Sequence, residues 1–330
     1  MNREQYAAML KDISETHKAG GDTAACIAKY NERYKFMYIY NDNVFKILFG
    51  SPENEKITID FLNAVLGFIG SDCINNLAYI NPALPDAFGK SITSDIVATD
   101  QRLDRIVLEV QHVEDDSYNA RLVLYTAKHT IASRIKGEDY ALRNLNLISL
   151  QMFDGFPNSP NYRHSIRFKN QENEEFYDKQ TITLVEIPKF LKGNFTTDNS
   201  RIAEWLRVID GLNNETPVAV PEGSPFALLQ EKAQLSIFTE EFLVSEAMKM
   251  SDHKYELYVE KKHARKEGLE EGRAEGRAEG RAKGLTEGAD AKAREMAAAM
   301  LADGDSVEKV VRISKLPESD VLAIKACLQK

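Results

Sequence analysis

The chain has 330 residues, of which 43% are hydrophobic, so it is long enough to bury a core and to form about two compact units. Its formal net charge of −9 excludes a generally basic coat for binding nucleic acid, so any such contact must come from a local patch. The three widely spaced cysteines offer neither a disulfide framework nor a zinc cluster, and no apolar run approaches the roughly 18 residues of a membrane span. We therefore expect a cytoplasmic protein without a membrane partner.

The chain opens with a segment, residues 1–37, whose partial apolar stripe predicts helix. Asp42 then suits the N-cap of a helix that carries Phe45 and Leu48 on one side. On these residues alone, Asp42 is either only this cap or an acid that reaches into a functional cleft. Lys46 lies one helical turn further on and either is solvated or faces a phosphate group; we interpret it as a solvated lysine.

Two short strands joined by a polar turn, residues 91–111, form the centre of the predicted fold. The second strand, RIVLEVQ, alternates so that Glu109 and Gln111 share one face of an otherwise apolar strand. Asp95 lies near the start of the first strand, so pairing of the two strands would bring Asp95 near Glu109. Two carboxylates and an amide oxygen are ligands for a hard divalent cation. The alternative is that these acids only form the solvated face of a sheet.

Residues 117–135 are predicted to form a helix on which Arg121 and Tyr125, four residues apart, share one face. Arg121 either contacts phosphate oxygens or pairs with the acids that precede the helix, and Tyr125 lies either at the cleft or in the core. The apolar run over residues 145–153 predicts a buried strand. A hairpin, a helix and a buried strand together predict an α/β fold with a mixed central sheet flanked by helices.

Further along the chain, two strands are predicted over residues 162–168 and 181–187, and a helix carries Trp205, which we interpret as a packing anchor. A helical segment over residues 226–266 follows a proline-marked linker, and residues 289–330 are predicted to form three short helices.

Between these C-terminal helical parts, glycine recurs at every fourth position over residues 267–288. Each glycine inside a helix costs about 1 kcal/mol relative to alanine, so this helix would be marginal alone. The repeat is therefore either a self-association helix, against which another helix packs, or a flexible charged spacer. We expect a homo-oligomer that forms through the C-terminal helices.

Six short motifs follow one another along the chain with consistent gaps, and a seventh matches a later strand. They are DNVFKILFG at Asp42, IDFLNAVLG at Ile59, SDI at Ser94, LEVQ at Leu108, ARLVLY at Ala120, KGEDY at Lys136 and, later, VEIPKF at Val185. In this order they resemble the PD-(D/E)XK nuclease-like transposase family, also called the recombination-promoting nuclease (Rpn) group. The resemblance implies a restriction-endonuclease-like domain over residues 38–215.

The same resemblance implies a metal-dependent endonuclease that hydrolyses DNA and is associated with recombination or mobile elements. Asp95 and Glu109 would bind Mg²⁺, with Mn²⁺ or Ca²⁺ as alternatives. Asp42 would add an outer ligand or position the attacking water, and Arg121 would stabilise charge on the phosphate. The chain departs from the superfamily at Gln111, which stands where a lysine is usual and brings no positive charge.

This departure, the acidic net charge and the long helical tail support an alternative hypothesis. In that alternative, the fold is catalytically inactive and serves as a DNA-binding or oligomeric interaction protein.

Overall fold

The computed structural model describes residues 1–81, 83–84, 92–114, 117–135, 137–193, 195, 197–252, 288 and 290–328. The chain divides into two compact units, Met1–Ser251 and Asp252–Lys330. Nearly all of the glycine repeat and the stretch before it, residues 253–287, lie outside the described residues. The predictions of a self-association helix or a spacer at the repeat therefore stay predictions, as do the predicted domain boundaries.

The first unit begins with four helices whose apolar sides are buried in one core. They are α1 (Arg3–Lys18), α2 (Thr23–Arg33), α3 (Asp42–Gly50) and α4 (Glu55–Leu66). Met9, Ile13, Phe45 and Phe49 are all fully buried there. Helix α4 ends at Gly67, whose positive φ of 73° gives the left-handed cap that glycine adopts at little cost.

A six-stranded mixed sheet forms the centre of this unit, as the sequence predicted. The strands of the unit are β1 (Leu77–Ile80), β2 (Ala83–Leu84), β3 (Ile92–Thr93), β4 (Ile96–Asp100), β5 (Arg105–Gln111), β6 (Leu145–Gln151), β7 (Arg163–Lys169) and β8 (Glu175–Glu186). The order in the sheet is β1-β4-β5-β6-β8-β7, and β2 pairs separately with β3. The central strands β5, β6 and β8 run parallel, and the remaining pairs are antiparallel.

Both faces of the sheet are covered, and strand β5 shows how. Ile106, Leu108 and Val110 join the large core that contains the N-terminal helices. Val107 points to the other face and packs with Leu122 of helix α5 (Tyr118–Ala132) in a smaller core. A strand buried on both faces tolerates few polar side chains, which makes the polar residues at the end of β5 conspicuous.

The remaining helices of the first unit follow strand β8. They are α6 (Ile187–Lys192), α7 (Arg201–Asn213), α8 (Pro225–Lys232) and α9, which begins at residue 240 and continues to the end of the unit at Ser251.

An aromatic cluster joins four of the helices and confirms the interpretation of Trp205 as a packing anchor. The Trp205 ring on α7 lies 5.5 Å from Phe61 on α4 and 4.7 Å from Phe226 on α8. Phe49 on α3 lies 5.0 Å from Phe61, so the cluster reaches the helix that begins at Asp42. The Trp205 indole N–H also donates a 2.7 Å hydrogen bond to Asp60, so its polar atom is satisfied.

The predicted N-cap at Asp42 is wrong by one residue. Asn41 caps α3, because its side chain accepts hydrogen bonds from the backbone N–H groups of Asn43 and Val44. Asp42 is the first residue of the helix, so its carboxylate is not used in capping and points elsewhere.

The helical segment predicted over residues 226–266 contains a break after Lys232. The backbone of Ala233 accepts a hydrogen bond from Met37, and the backbone of Leu235 donates one to Lys35. These contacts with the N-terminal segment replace helical hydrogen bonds, and the helical path resumes at residue 240.

The second unit, taken by itself, contains the three predicted C-terminal helices among its described residues. Residues 290–302 are helical and are followed by α10 (Val307–Ser314) and α11 (Glu318–Leu328). Ala297, Val310 and Val321 form its small core. Homo-oligomerisation through these helices stays a prediction. Over the part of the chain that the structure describes, no helix combines the length and the apolar character needed to cross a bilayer.

The corrected cap of α3 gives a stability prediction. Asn41→Ala should lower the free energy of unfolding of the first unit by about 1 kcal/mol, since it removes the acceptor for two orphan N–H groups. Asp42→Ala should change that free energy by clearly less. Urea titrations followed by the fluorescence of Trp205 measure both values, and an equal loss in the two variants would contradict the assignment of the cap.

Candidate active site

A pocket of about 190 Å³ opens where the ends of β5 and β6 meet helix α5. All five residues predicted from the sequence line this pocket: Asp42, Asp95, Glu109, Gln111 and Arg121. They come from α3, from the residue before β4, from β5 and from α5. The sheet and two helices therefore bring together side chains that lie up to 79 positions apart in the sequence.

The hairpin positions the two central acids. Ile96 pairs with Leu108 across β4 and β5, so Asp95 comes beside the end of β5. One oxygen of Asp95, Oδ2, accepts a 2.9 Å hydrogen bond from the backbone N–H of Val110. This bond fixes the Asp95 carboxylate next to Glu109, the residue that precedes Val110.

The charged form of the Glu109 side chain is disfavoured in this position. Burial raises the pKa of its carboxyl group to about 8, and the nearby charge of Asp95 raises the pKa in the same direction. Hydrogen bonds from the Ser94 side chain and from the Asp95 backbone act in the opposite direction. The Oε1 atom of Glu109 is buried and has no hydrogen-bond partner in the structure. An unpartnered buried carboxylate oxygen is costly, and a cation is one group that would satisfy it.

Lys46 also belongs to the site, although the sequence suggested a solvated side chain. Its Nζ atom lies 3.0 Å from Oδ1 of Asp95, and its side chain is 37% exposed. Helix α3 brings it there because Phe45 and Phe49, on the adjoining side of the helix, are fully buried and fix its orientation. In the sequence, the one signal that Lys46 belongs to the site is its position within the DNVFKILFG motif. Its contact with Asp95 depends on packing between elements that lie far apart in the chain.

Gln111 and Asp42 lie nearer the rim of the pocket. The Gln111 amide nitrogen donates a 2.7 Å hydrogen bond to the carbonyl oxygen of Val113. Oδ1 of Asp42 lies 3.2 Å from Nε2 of His112, and the Asp42 side chain is about half exposed at 53%. Both side chains make these contacts away from Asp95 and Glu109, so the two acids form the centre of the site.

Helix α5 supplies the opposite wall. The guanidinium of Arg121 lies 5.8 Å from the centre of the Tyr118 ring. The Tyr118 hydroxyl lies 2.6 Å from Oγ of Ser149, which is the parallel-strand neighbour of Glu109 on β6. Burial raises the pKa of both Tyr118 and Tyr125, which keeps these phenols neutral. Tyr125 could be named from the sequence, whereas Tyr118 and Ser149 carry no motif signal and are identified only by the structure.

The site can be tested for its fit to a metal ion. Among the described residues, no group of three or more histidines, cysteines, aspartates and glutamates is arranged to hold a metal. Mg²⁺ does not require such a cluster, because it keeps several waters and often binds through one or two carboxylates together with substrate phosphates. The adjacent carboxylates of Asp95 and Glu109, one with an unpartnered oxygen, fit a hard divalent ion of this kind.

Comparison with known proteins assigns a family to this arrangement. A family model described as PD-(D/E)XK nuclease family transposase matches residues 39–271, which is more than half of the chain. The matched range contains every residue of the pocket. No curated protein and no solved structure matches the chain.

The raised pKa of Glu109 gives a prediction about stability and pH. Between the ordinary glutamate pKa of 4.5 and the raised value of about 8, the folded protein holds a proton on Glu109 that the unfolded chain releases. This group alone should therefore lower the free energy of unfolding by up to about 1.4 kcal/mol for each unit that the pH rises through this window. Glu109→Gln removes this term, so the variant should gain stability over wild type from pH 5 to pH 8.

The measurement is urea unfolding in EDTA at several pH values, followed by Trp205 fluorescence. Glu114→Gln serves as the matched control, because Glu114 is exposed. Parallel pH profiles for wild type and Glu109→Gln would show that the carboxyl group is not buried as described.

Proposed function

We propose, from the premise that the chain belongs to the PD-(D/E)XK nuclease family of transposases, that this protein is a metal-dependent endonuclease that hydrolyses phosphodiester bonds in DNA. The family makes nuclease-type hydrolysis the expected chemistry and DNA the expected substrate. The observation that carries the proposal is the unpartnered oxygen of Glu109 beside Asp95, in a pocket that also holds Arg121. A role in recombination or in mobile elements is supported by the description of the family.

Asp95 and Glu109 would hold the divalent ion, for which Mg²⁺ is our first choice and Mn²⁺ or Ca²⁺ are alternatives. When bound, such an ion supplies positive charge to the scissile phosphate and makes a water molecule more acidic. The protein's own contribution is to fix the two carboxylates. The backbone N–H of Val110 holds Asp95, and the antiparallel pairing of β4 with β5 places Glu109 beside it.

Lys46 supplies the positive charge that Gln111 lacks. In the superfamily, a lysine usually stands at the position of Gln111. Here the ammonium group reaches the site from helix α3 and lies 3.0 Å from Asp95. A fixed cation at this point would stabilise the charge that develops on the phosphate during attack. Gln111 keeps a weaker role, because its amide nitrogen is used on Val113 and its carbonyl oxygen is left to orient a water molecule.

Arg121 and Asp42 complete the arrangement from opposite sides of the pocket. A guanidinium group suits bidentate hydrogen bonds to phosphate oxygens, and Arg121 stands on the α5 wall next to the neutral ring of Tyr118. Asp42, held by His112 at the rim, is placed to accept a hydrogen bond from an entering water molecule. The local cations are needed because the chain as a whole is acidic and repels DNA.

The direct test is nicking of supercoiled plasmid. Wild type should nick in Mg²⁺ and stop in EDTA, and both Asp95→Ala and Glu109→Ala should lose at least about 100-fold in rate, because each removes a carboxylate that holds the ion. Glu114→Ala is the control and should nick as wild type does. Equal nicking by wild type and Glu109→Ala would exclude this site. DNA binding without nicking in any metal would favour the inactive interaction protein instead.

A second test separates the role of Lys46 from that of the metal ligands. Lys46→Met should lower kcat by about 100-fold, the size of effect seen when one fixed donor to a developing charge is removed. Its affinity for Mn²⁺, measured by calorimetry, should be unchanged or higher, because the ammonium no longer competes for Asp95. Lys56→Met, an exposed lysine on α4, is the matched control. If kcat is unchanged in Lys46→Met, then Lys46 only neutralises the charge of Asp95 and does not stabilise the charge that develops on the phosphate.

A further inference from the structure

A second pocket, of about 340 Å³, lies toward the other end of the central strands from the candidate active site. Its floor includes Asn146 of β6 and Thr181 of β8, which pair with each other. Asn146 also pairs with Ile106, a residue of the large core, so this floor belongs to the sheet face opposite Glu109. The two pockets share no lining residue, so the second pocket is a separate feature of the first unit.

The floor of this pocket is polar, although the same face of the sheet carries core residues further along the strands. On β6, Asn146 is followed on this face by Ile148 and Leu150, which are fully buried. On β8, Thr183 is only 2% exposed and pairs with Ser165 of β7. The amide and hydroxyl groups can donate hydrogen bonds to a molecule in the pocket and accept them from it.

Arg163 of β7 brings a positive charge into the half-buried part of the pocket. Its Nη2 atom donates a 3.0 Å hydrogen bond to the carbonyl oxygen of Leu66, at the end of α4. Among the described residues, Arg163 forms no ion pair with a carboxylate, and its Nε atom is buried without a hydrogen-bond partner. Burial lowers the pKa of Arg163; the charge of Tyr162 acts in the opposite direction, and that of Arg167 lowers the pKa again. An anion beside this guanidinium would stabilise its charged form.

Other donors stand beside Arg163 in the pocket. Arg163 and Arg167 lie on either side of Ser165 along β7, and all three residues line the pocket. Lys179 of β8 also lines it and donates a 3.2 Å hydrogen bond to the carbonyl oxygen of Leu142. Two guanidinium groups around a hydroxyl suit a tetrahedral anion, because its oxygens accept hydrogen bonds from several directions. Phosphate has this chemistry.

Four acids also line the pocket, and they restrict which phosphate compound fits it. The acids are Asp72, Asp104, Glu175 and Asp178. Asp104 accepts hydrogen bonds of 2.7 and 3.0 Å from the side chain and the backbone N–H of Asn144, and Glu175 lies 3.3 Å from Arg167. The other two acids are exposed at the rim. Carboxylates repel a bare anion but accept hydrogen bonds from the amino and hydroxyl groups of a nucleoside.

We propose that this pocket binds a nucleoside monophosphate, whose phosphate contacts Arg163, Ser165 and Arg167 and whose nucleoside lies beside Asn146 and the acids of the rim. The volume of about 340 Å³ lies within the range of small-ligand pockets, roughly 300–1,000 Å³. The inference does not depend on the proposed function, because no residue assigned to hydrolysis lines this pocket.

A structural role for Arg163 makes a different forecast. In that role, Arg163 only caps the end of α4, since cations that donate to the last carbonyl groups of a helix stabilise it. Its loss would then lower stability, and the wild type would bind no nucleotide in this pocket. Arg207 of α7 is a matched control, because it is also half-buried and donates a 2.9 Å hydrogen bond to the backbone carbonyl of Asp198, outside the pocket.

The experiment is calorimetric titration of the full chain with deoxynucleoside 5′-monophosphates, with inorganic phosphate and with unphosphorylated deoxynucleosides. EDTA is present throughout, so that no divalent ion recruits phosphate to Asp95 and Glu109. The monophosphates should bind more tightly than inorganic phosphate or the deoxynucleosides, because only they reach both parts of the pocket.

The variants locate the bound molecule, with the folding of each checked by circular dichroism. Arg163→Gln should weaken monophosphate binding by about tenfold or more, since it removes a charge-assisted hydrogen bond. Ser165→Ala, at an exposed position, should weaken it about threefold or more and keeps the test decisive if Arg163→Gln does not fold. Arg207→Gln should bind as the wild type does, and plasmid nicking by folded Arg163→Gln should match that of the wild type.

Three results would overturn the inference. A folded wild type that binds none of the monophosphates would leave Arg163 with its role as a cap. Wild-type affinity in Ser165→Ala and in folded Arg163→Gln would show that the nucleotide binds elsewhere. Inorganic phosphate or a deoxynucleoside that binds as tightly as the monophosphates would contradict the assignment of the ligand. The proposed function fails by a different measurement, the loss of nicking in Mg²⁺, so the two failures are distinguishable.

Discussion

The burial of the Glu109 carboxylate beside Asp95 is the constraint on which the first unit depends. A charge inside an apolar strand is costly, and two neighbouring carboxylates raise that cost further. Two contacts of Asp95 reduce it: the backbone N–H of Val110 donates to its carboxylate, and Lys46 offsets its charge. A protein that needed only a stable sheet would place a valine here, so the compensation indicates a site kept for chemistry rather than for stability.

The sheet and its central acids could be predicted from the sequence because the signals are local. Strict alternation defines β5, and the length of the apolar run defines β6, so the pairing of the hairpin and the approach of Asp95 to Glu109 followed directly. The cap of α3 was misplaced by one residue because Asn41 and Asp42 are both good caps, and only the structure shows which side chain turns back to the N–H groups.

The parts that sequence reasoning could not reach depend on contacts between distant elements. Lys46 meets Asp95 across 49 positions of sequence, and His129 meets Ser94 across 35. Periodicity places His129 on the apolar side of its helix but does not distinguish Lys46 from a solvated lysine, and it identifies neither contact partner. The break after Lys232 likewise contains no glycine or proline that would mark it in the sequence. Its cause is hydrogen bonding with residues 35–37 rather than a local preference of the chain.

The aromatic cluster around Trp205 has a consequence for how this site could change over evolutionary time. Lys46 stands on a helix whose orientation is set by the stacking of Phe45 on Phe49, with ring centres 4.4 Å apart, and by the contact of Phe49 with Phe61. A small change in ring volume at Phe61 or Trp205 would therefore tilt the ammonium relative to the carboxylates. Under the proposed function, the reaction rate could thus be tuned by interior substitutions in the aromatic cluster, while Asp95 and Glu109 stay unchanged.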